Sequence, residues 1–269
     1  MHRKEYFMES GGETLRLELK TDPVVVVQQA RWAGLHPGMR VADVGCGPGK
    51  TTATLFEAAS PGGVVVGIDA AQERVDYALE HYGGSGISFA CGNALQELTG
   101  LGQFDFVWCR FLFEYYREHA GELFQGLDRL VRPGGILCLV DLDCNCMIYD
   151  GMPERLDLTV QEILRCLGET TGFDPYAGRR LYGLIFDHGY HEIDVQVGAH
   201  NLLFGPASEA AMHNWRQKLQ MAVAKSGCVL SRYPGGTAEF LAEFELHFNH
   251  PRRFSYTPLI ACRGRKPMS

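Results

Sequence analysis

No apolar run in this chain approaches the roughly 20 residues that a membrane-crossing helix needs, so no membrane insertion is expected. The opening Met1-His2-Arg3-Lys4-Glu5-Tyr6 leads into Glu9, Gly11 and Gly12 instead of the apolar core of a signal peptide. Basic charge is also short: 25 Lys and Arg face 32 Asp and Glu, for a formal net charge of −7. A broad nucleic-acid footprint is normally basic, so no nucleic-acid partner is expected. Internal repeats and low-complexity tracts are missing. Cysteine is plentiful, at nine, but the spacings that would make it chemical are not there. Cys144-Asn145-Cys146 matches neither a zinc knuckle nor a CxxC redox motif, and no second Cys/His pair completes a tetrahedral site, so no metal is expected. The count is odd, and Cys91, Cys109, Cys138 and Cys262 sit in or beside apolar runs, where a free thiol behaves as a small hydrophobe. A reduced, cytoplasmic protein is the expectation.

What is present is a core former. The chain has 269 residues, 46 % of them hydrophobic and 21 % charged, within reach of one α/β domain carrying insertions. Short apolar runs alternate with helical patterns, as in a parallel sheet covered by helices. Strands are expected at Arg40 to Val44, Val64 to Ile68, Ile87 to Cys91, Phe104 to Cys109 and Ile136 to Val140. Helices are expected at about Lys50 to Ala59, Gln72 to Tyr82 and Glu118 to Val131. Asp22-Pro23 reads as a helix start, although the four valines that follow also suit a strand. Arg132-Pro133-Gly134-Gly135 reads as a turn. After residue 143 the rhythm changes: helical insertions at about 144–190 and 206–248 alternate with closing strands at about 191–199 and 253–264. The expected fold is a doubly wound, mostly parallel, seven-stranded sheet (Rossmann-like) with a core at about 39–143, helical lid insertions and a single domain over 1–269.

The strand Arg40 to Val44 runs directly into Gly45-Cys46-Gly47-Pro48-Gly49 and then a helix. Closely spaced glycines let the backbone turn sharply and approach a ligand at the carboxyl end of a strand. A P-loop would need GxxxxGK; Gly49-Lys50-Thr51 supplies its tail, but Val44 stands at the leading position. A dinucleotide fingerprint would need GxGxxG, and Lys50 occupies its third glycine position. A purely structural turn stays open.

Val41-Ala42-Asp43-Val44-Gly45-Cys46-Gly47-Pro48-Gly49 resembles the first motif of class I S-adenosylmethionine-dependent methyltransferases, in which an acid precedes GxGxG. The resemblance extends over about 39–143. It takes in Asp69 after the second strand, Gly92-Asn93-Ala94 after the third, Phe104-Asp105-Phe106-Val107 at the fourth, and Leu130 to Gly135 before the fifth. It points to the small-molecule methyltransferase type, which modifies quinones, sterols and related metabolites, and implies S-adenosylmethionine as cofactor with S-adenosylhomocysteine as product.

Within that resemblance, Asp69 accepts the ribose hydroxyls, and its spacing from Gly47 suits a ribose-binding acid; a helix N-cap is its alternative role. Asp43 would hold the turn through backbone N–H bonds, with Gly45, Gly47 and Ala70 beside the cofactor. Asn93 stands where the family usually has Asp, and its side-chain oxygen can still accept from the adenine amine; Ala94 follows it. Cys109 and Arg110 are placed at the cofactor's amino-acid end or on the floor of its pocket, and Arg16, in a stretch that folds over the cofactor in related enzymes, at its carboxylate.

Methyl transfer from a sulfonium needs in-line alignment and exclusion of water more than a strong base, so no catalytic residue is assigned. Asp141 and Asp143 are candidate bases, with solvated strand-end acids as the alternative. Phe111, Phe113, Tyr115, Tyr116 and Trp215 are candidates for an apolar acceptor pocket, with core packing as the alternative for some of them. Arg179-Arg180 is a candidate anion-binding contact, although a helix-surface charge pair is the favoured reading. His188 and His191 read as structural. A non-catalytic cofactor-binding protein and a nicotinamide-dependent oxidoreductase are the rival functions. The insertions could form a homodimer interface as readily as a lid.

Overall fold

A computed structural model describes residues 21–96, 98 and 100–268. Helix α1 (Pro23–Ala33) opens on Asp22, whose Oδ1 accepts from Val24 N at 2.9 Å, and closes on Gly34 at φ 106°. The cap and proline therefore override the strand preference of the valines. Strand β1 (Arg40–Val44), helix α2 (Lys50–Ala59), β2 (Val64–Asp69), α3 (Gln72–Tyr82), β3 (Ile87–Cys91) and β4 (Phe104–Arg110) follow. Two short 3₁₀ turns, Phe113–Tyr115 and Arg117–His119, lead into α4 (Ala120–Leu130) and β5 (Val131–Leu142). Beyond them lie α5 (Glu154–Thr171), α6 (Ala177–Asp187), β6 (His191–Phe204), α7 (Glu209–Ser226), α8 (Gly236–Phe248) and β7 (Phe254–Arg265).

The strands form one seven-stranded sheet in the order β3-β2-β1-β4-β5-β7-β6, parallel except for β7, which runs antiparallel to β5 and β6. One face is covered by α1 and α2, through Val26, Ala30, Leu55 and Ala59. The other is covered by α4 and α6, through Leu123, Leu127, Leu181 and Ile185. Helices α5, α7 and α8 bury a third cluster of their own, centred on Leu156, Ile163, Trp215, Phe240 and Phe244. Among the described residues no helix is long and apolar enough to cross a membrane.

Two expectations need correction. Residues 132–135 do not form a turn; they are the start of β5. Phe104 pairs with Val131 and the register then shifts before Phe106 meets Ile136. Gly134 takes φ 71°, and backbone bonds between Gly134, Gly135 and Lys266 draw the segment into the sheet as a bulge. Strand β6 also runs beyond 199, to Phe204, because β7 offers it partners as far as Phe254. A second irregularity, with Asn201 at φ 50°, absorbs the extra length.

Candidate active site

β1 lies between β2 and β4, so the chain doubles back at its carboxyl end, where open α/β sheets leave a crevice. The glycine turn fills this point. Gly45, Gly47 and Gly49 take φ 80°, 55° and 99°, conformations that side chains oppose. Gly45 N and Cys46 N both donate to Ile68 O, at 2.8 and 3.0 Å, lashing the turn to β2. A Cβ on Gly49 would lie 2.8 Å from that of Ala78 and 3.0 Å from the Phe89 ring. Bulk is therefore barred from the side facing α3 and β3.

Asp43 is buried beneath the turn, its Oδ2 accepting from Thr52 Oγ1 at 2.7 Å. Burial pushes its carboxyl up to about 7; Asp69 adds to the rise, while the Thr52 bond and Arg110 oppose it. Among the described residues no backbone N–H of the turn donates to Asp43, contrary to the expectation from sequence. That work falls to Asp69, whose Oδ2 accepts from Gly47 N at 2.9 Å. Asp69 Oδ1 takes Ala71 N at 3.0 Å, a capping contact at the start of α3, and the Arg74 guanidinium at 3.0 and 3.1 Å. Its oxygens keep some acceptor capacity, mostly on Oδ2.

A cleft of about 1400 Å³, open to solvent, runs over this floor. Asp43, Gly45, Gly47, Asp69, Ala70, Asn93, Ala94, Arg110 and Tyr116 all line it. Asn93 Oδ1 accepts from Leu95 N at 3.0 Å, which fixes the bend after β3. The Arg110 guanidinium is buried, stacked 4.1 Å over the Phe111 ring, and its Nε has no hydrogen-bond partner among the described residues. Burial brings the Arg110 pKa down to about 10 against the pull of Asp43 and Asp141. Cys109 does not reach the cleft: strand alternation turns it into the core beside Leu139. Phe113 is likewise a core residue. Arg16 lies outside the described residues.

A second cavity of about 660 Å³ opens beside the first, under α5 and α7, and the two share Glu114 and Tyr115 in their walls. Its lining is apolar (Val160, Ile163, Leu164, Leu167, Phe173, Trp215, Leu219) apart from Glu114, Tyr115, Asn145, Cys146 and Lys218. Glu114 is buried at the junction. Its backbone N donates to Asp141 Oδ2 at 3.1 Å, and its Oε2 accepts from Asn145 Nδ2 at 2.8 Å. Asn145 sits between Cys144 and Cys146, at φ 47° and 65°, a strained bend that aims its amide at Glu114. Asp141 lies beneath, its carboxyl held well above the usual range by burial and then by Glu114.

The remaining sequence candidates go elsewhere. Asp143 and Arg179 line neither cavity; they form a two-pronged ion pair at 2.7 and 2.9 Å, which occupies both groups. Asp141 is fully enclosed and reaches the cavities only through Glu114. His188 stacks on Phe124 at 3.9 Å. Among the described residues no group of three His, Cys, Asp or Glu side chains is placed to hold a metal ion. Glu114, Asn145, Lys218 and Arg74 were not singled out from the sequence. Only Glu114 left a signal there, as the one acid inside the aromatic run Phe111 to Tyr116.

The fold and the cleft together define a doubly wound α/β protein with a cleft at the switch point of the sheet. Residues 41–135 match the family described as methyltransferase domain. An uncharacterized methyltransferase of Schizosaccharomyces pombe is 29% identical over 175 residues, 61% of each chain. A ubiquinone biosynthesis O-methyltransferase of Burkholderia thailandensis is 32% identical over 124 residues, 44% of this chain and 52% of that one. A solved structure of a putative methyltransferase from Bacillus halodurans superposes with a TM-score of 0.57 at 15% identity, covering 90% of this chain and 98% of that one. Over residues 41–135 the chain thus matches a methyltransferase domain, on a fold that it shares with a methyltransferase structure. It spans between half and two thirds of the length of these curated relatives.

Proposed function

We propose that the protein transfers a methyl group from S-adenosylmethionine to a small-molecule acceptor, leaving S-adenosylhomocysteine. The observation that carries this reading is the meeting of the two cavities at Glu114 and Tyr115, which makes ligands in them immediate neighbours. The first cavity suits the cofactor. Asp69 offers carboxylate oxygens to ribose hydroxyls, the buried and unpartnered Arg110 Nε suits its carboxylate, and Asn93 Oδ1 keeps a lone pair for an adenine amine. When bound, S-adenosylmethionine supplies a methyl carbon already activated by a sulfonium.

The protein's part is then positioning and exclusion of water. The second cavity receives the acceptor. Helices α5 and α7 act as a lid on a single domain, and Glu114 orients the acceptor's hydroxyl or amine and receives its proton. Asn145 fixes the Glu114 carboxylate in place through its amide. The acidic balance of the chain supports a small acceptor over a nucleic acid.

Calorimetric titration of S-adenosylmethionine, S-adenosylhomocysteine, NAD and ATP tests the cofactor, with Asp69→Ala as control. Micromolar binding of the first two, lost in the variant, is expected, followed by methylation within an apolar panel of phenols, quinones and amines. A preference for NAD or ATP would overturn the cofactor reading. Cofactor binding without turnover on any acceptor would favour a non-catalytic binding protein.

A further inference from the structure

Apart from Tyr115, the polar groups of the second cavity follow one another in contact along one wall. Glu114 Oε2 accepts from Asn145 Nδ2 at 2.8 Å, Cys146 Sγ lies 3.3 Å from Asn145 Oδ1, and Lys218 Nζ lies 3.8 Å from Cys146 Sγ. The wall therefore has an acid at the end next to the cofactor cleft and an ammonium at the other. Arginines on the same helical layer are matched to carboxylates: Arg155 to Glu243, Arg165 to Glu169, Arg216 to Glu245 and Arg232 to Glu162. Lys218 is not. Among the described residues its ammonium meets only a thiol, which is a weak acceptor, and the Trp215 ring, 4.7 Å away. An ammonium has three donors, and at this end of the cavity, among Trp215, Leu219 and Ala222, the half-buried Lys218 can offer them to an anion.

We infer that the acceptor is an elongated apolar acid whose anionic group binds Lys218 while its hydroxyl or amine, at the far end, faces Glu114. This rests on the second cavity being the acceptor chamber. The ends are not interchangeable, because an anion at Glu114 would meet a carboxylate and a cation at Trp215 would meet the Lys218 ammonium already covering that ring. The apolar middle of the ligand lies against α5 and α7.

Binding of matched probes by calorimetry, with and without saturating S-adenosylhomocysteine, tests the assignment. The probes are 4-hydroxycinnamate, its methyl ester and tyramine, with decanoate and decanol as a flexible pair. The acids are expected to bind about ten-fold tighter than the ester, the alcohol and the amine. Lys218→Met should bring them down to the neutral probes, and Lys218→Arg should keep most of their advantage. The inference is overturned if neither acid binds the wild type, if acid and neutral probes bind alike, or if the acids' advantage survives in Lys218→Met. S-adenosylhomocysteine affinity, measured on each variant, is expected to stay unchanged. Its absence in the wild type would count against the cofactor reading, while the comparison made without it still decides the role of Lys218.

Discussion

Asp69 accepts from Gly47 N at 2.9 Å, so the acid after β2 and the glycine turn after β1 hold each other. Removing the carboxylate therefore has two effects. Asp69→Ala is expected to weaken S-adenosylhomocysteine binding by at least about ten-fold, through loss of charge-assisted bonds. It should also lower unfolding stability by about 1–3 kcal/mol, because Gly47 N and Ala71 N lose their acceptor. Calorimetry reads the first effect and urea unfolding the second. Unchanged cofactor affinity would remove Asp69 from the binding site.

Asp43 predicts a pH dependence. Its carboxyl is raised by burial to about 7, so the folded chain holds this proton more tightly than the unfolded chain does. The stability it contributes is full below about pH 4 and is lost as pH rises through about 7. Asp43→Asn, which can still accept from Thr52, should make the fall in stability between about pH 5 and about pH 8 shallower by roughly 2–3 kcal/mol. Denaturant melts of both proteins at the two pH values check this; parallel curves would contradict it.

Glu114→Gln keeps the size of the side chain and removes its charge at the junction of the cavities. Turnover on any accepted substrate should fall by about 10² to 10⁴, with S-adenosylhomocysteine affinity within about two-fold of wild type. Asn145→Ala should give a smaller loss, since it only frees the Glu114 carboxylate to turn. Single-turnover assays at saturating acceptor separate these effects from weaker substrate binding.

Gly126, on α4, leaves no room for a methyl group: a Cβ there would overlap the carbonyl oxygen of Ala94, in the segment that borders the cleft over the glycine turn. Gly126→Ala should cost about 1–3 kcal/mol in stability by overpacking, against the small gain alanine brings to an exposed helix. It should also weaken cofactor binding by displacing Asn93 and Ala94. Thermal unfolding with and without S-adenosylhomocysteine reports both; a more stable variant would show that α4 shifts freely.

The sheet was readable because each strand from β1 to β5 carries its own apolar run and turn, signals that lie within a few residues. The cleft floor was readable for the same reason: Asp43, Gly45, Gly47, Asp69 and Asn93 each sit just inside or beyond a strand end. The junction was not. Glu114 is buried by Asp141, Asn145 and the loop at Asp174, groups well separated from it in sequence, and nothing local distinguishes it from a surface acid. Asp143 looked free for the converse reason, since Arg179, which occupies it, arrives from α6 36 residues later. The bulge at Gly134 was missed because Pro-Gly-Gly is a turn signal in isolation, and only pairing with Lys266 makes it strand.

Apart from Glu114 and Tyr115, the wall of the second cavity is drawn from residues 145–222, whereas the cleft beside it comes almost wholly from residues 43–123. Only Thr21 and Thr171 fall outside that span. The molecule is thus separable along its length. Change in residues 145–222 other than Thr171 can reshape the second cavity while every residue that lines the first is kept. A protein engineer can graft along the same seam.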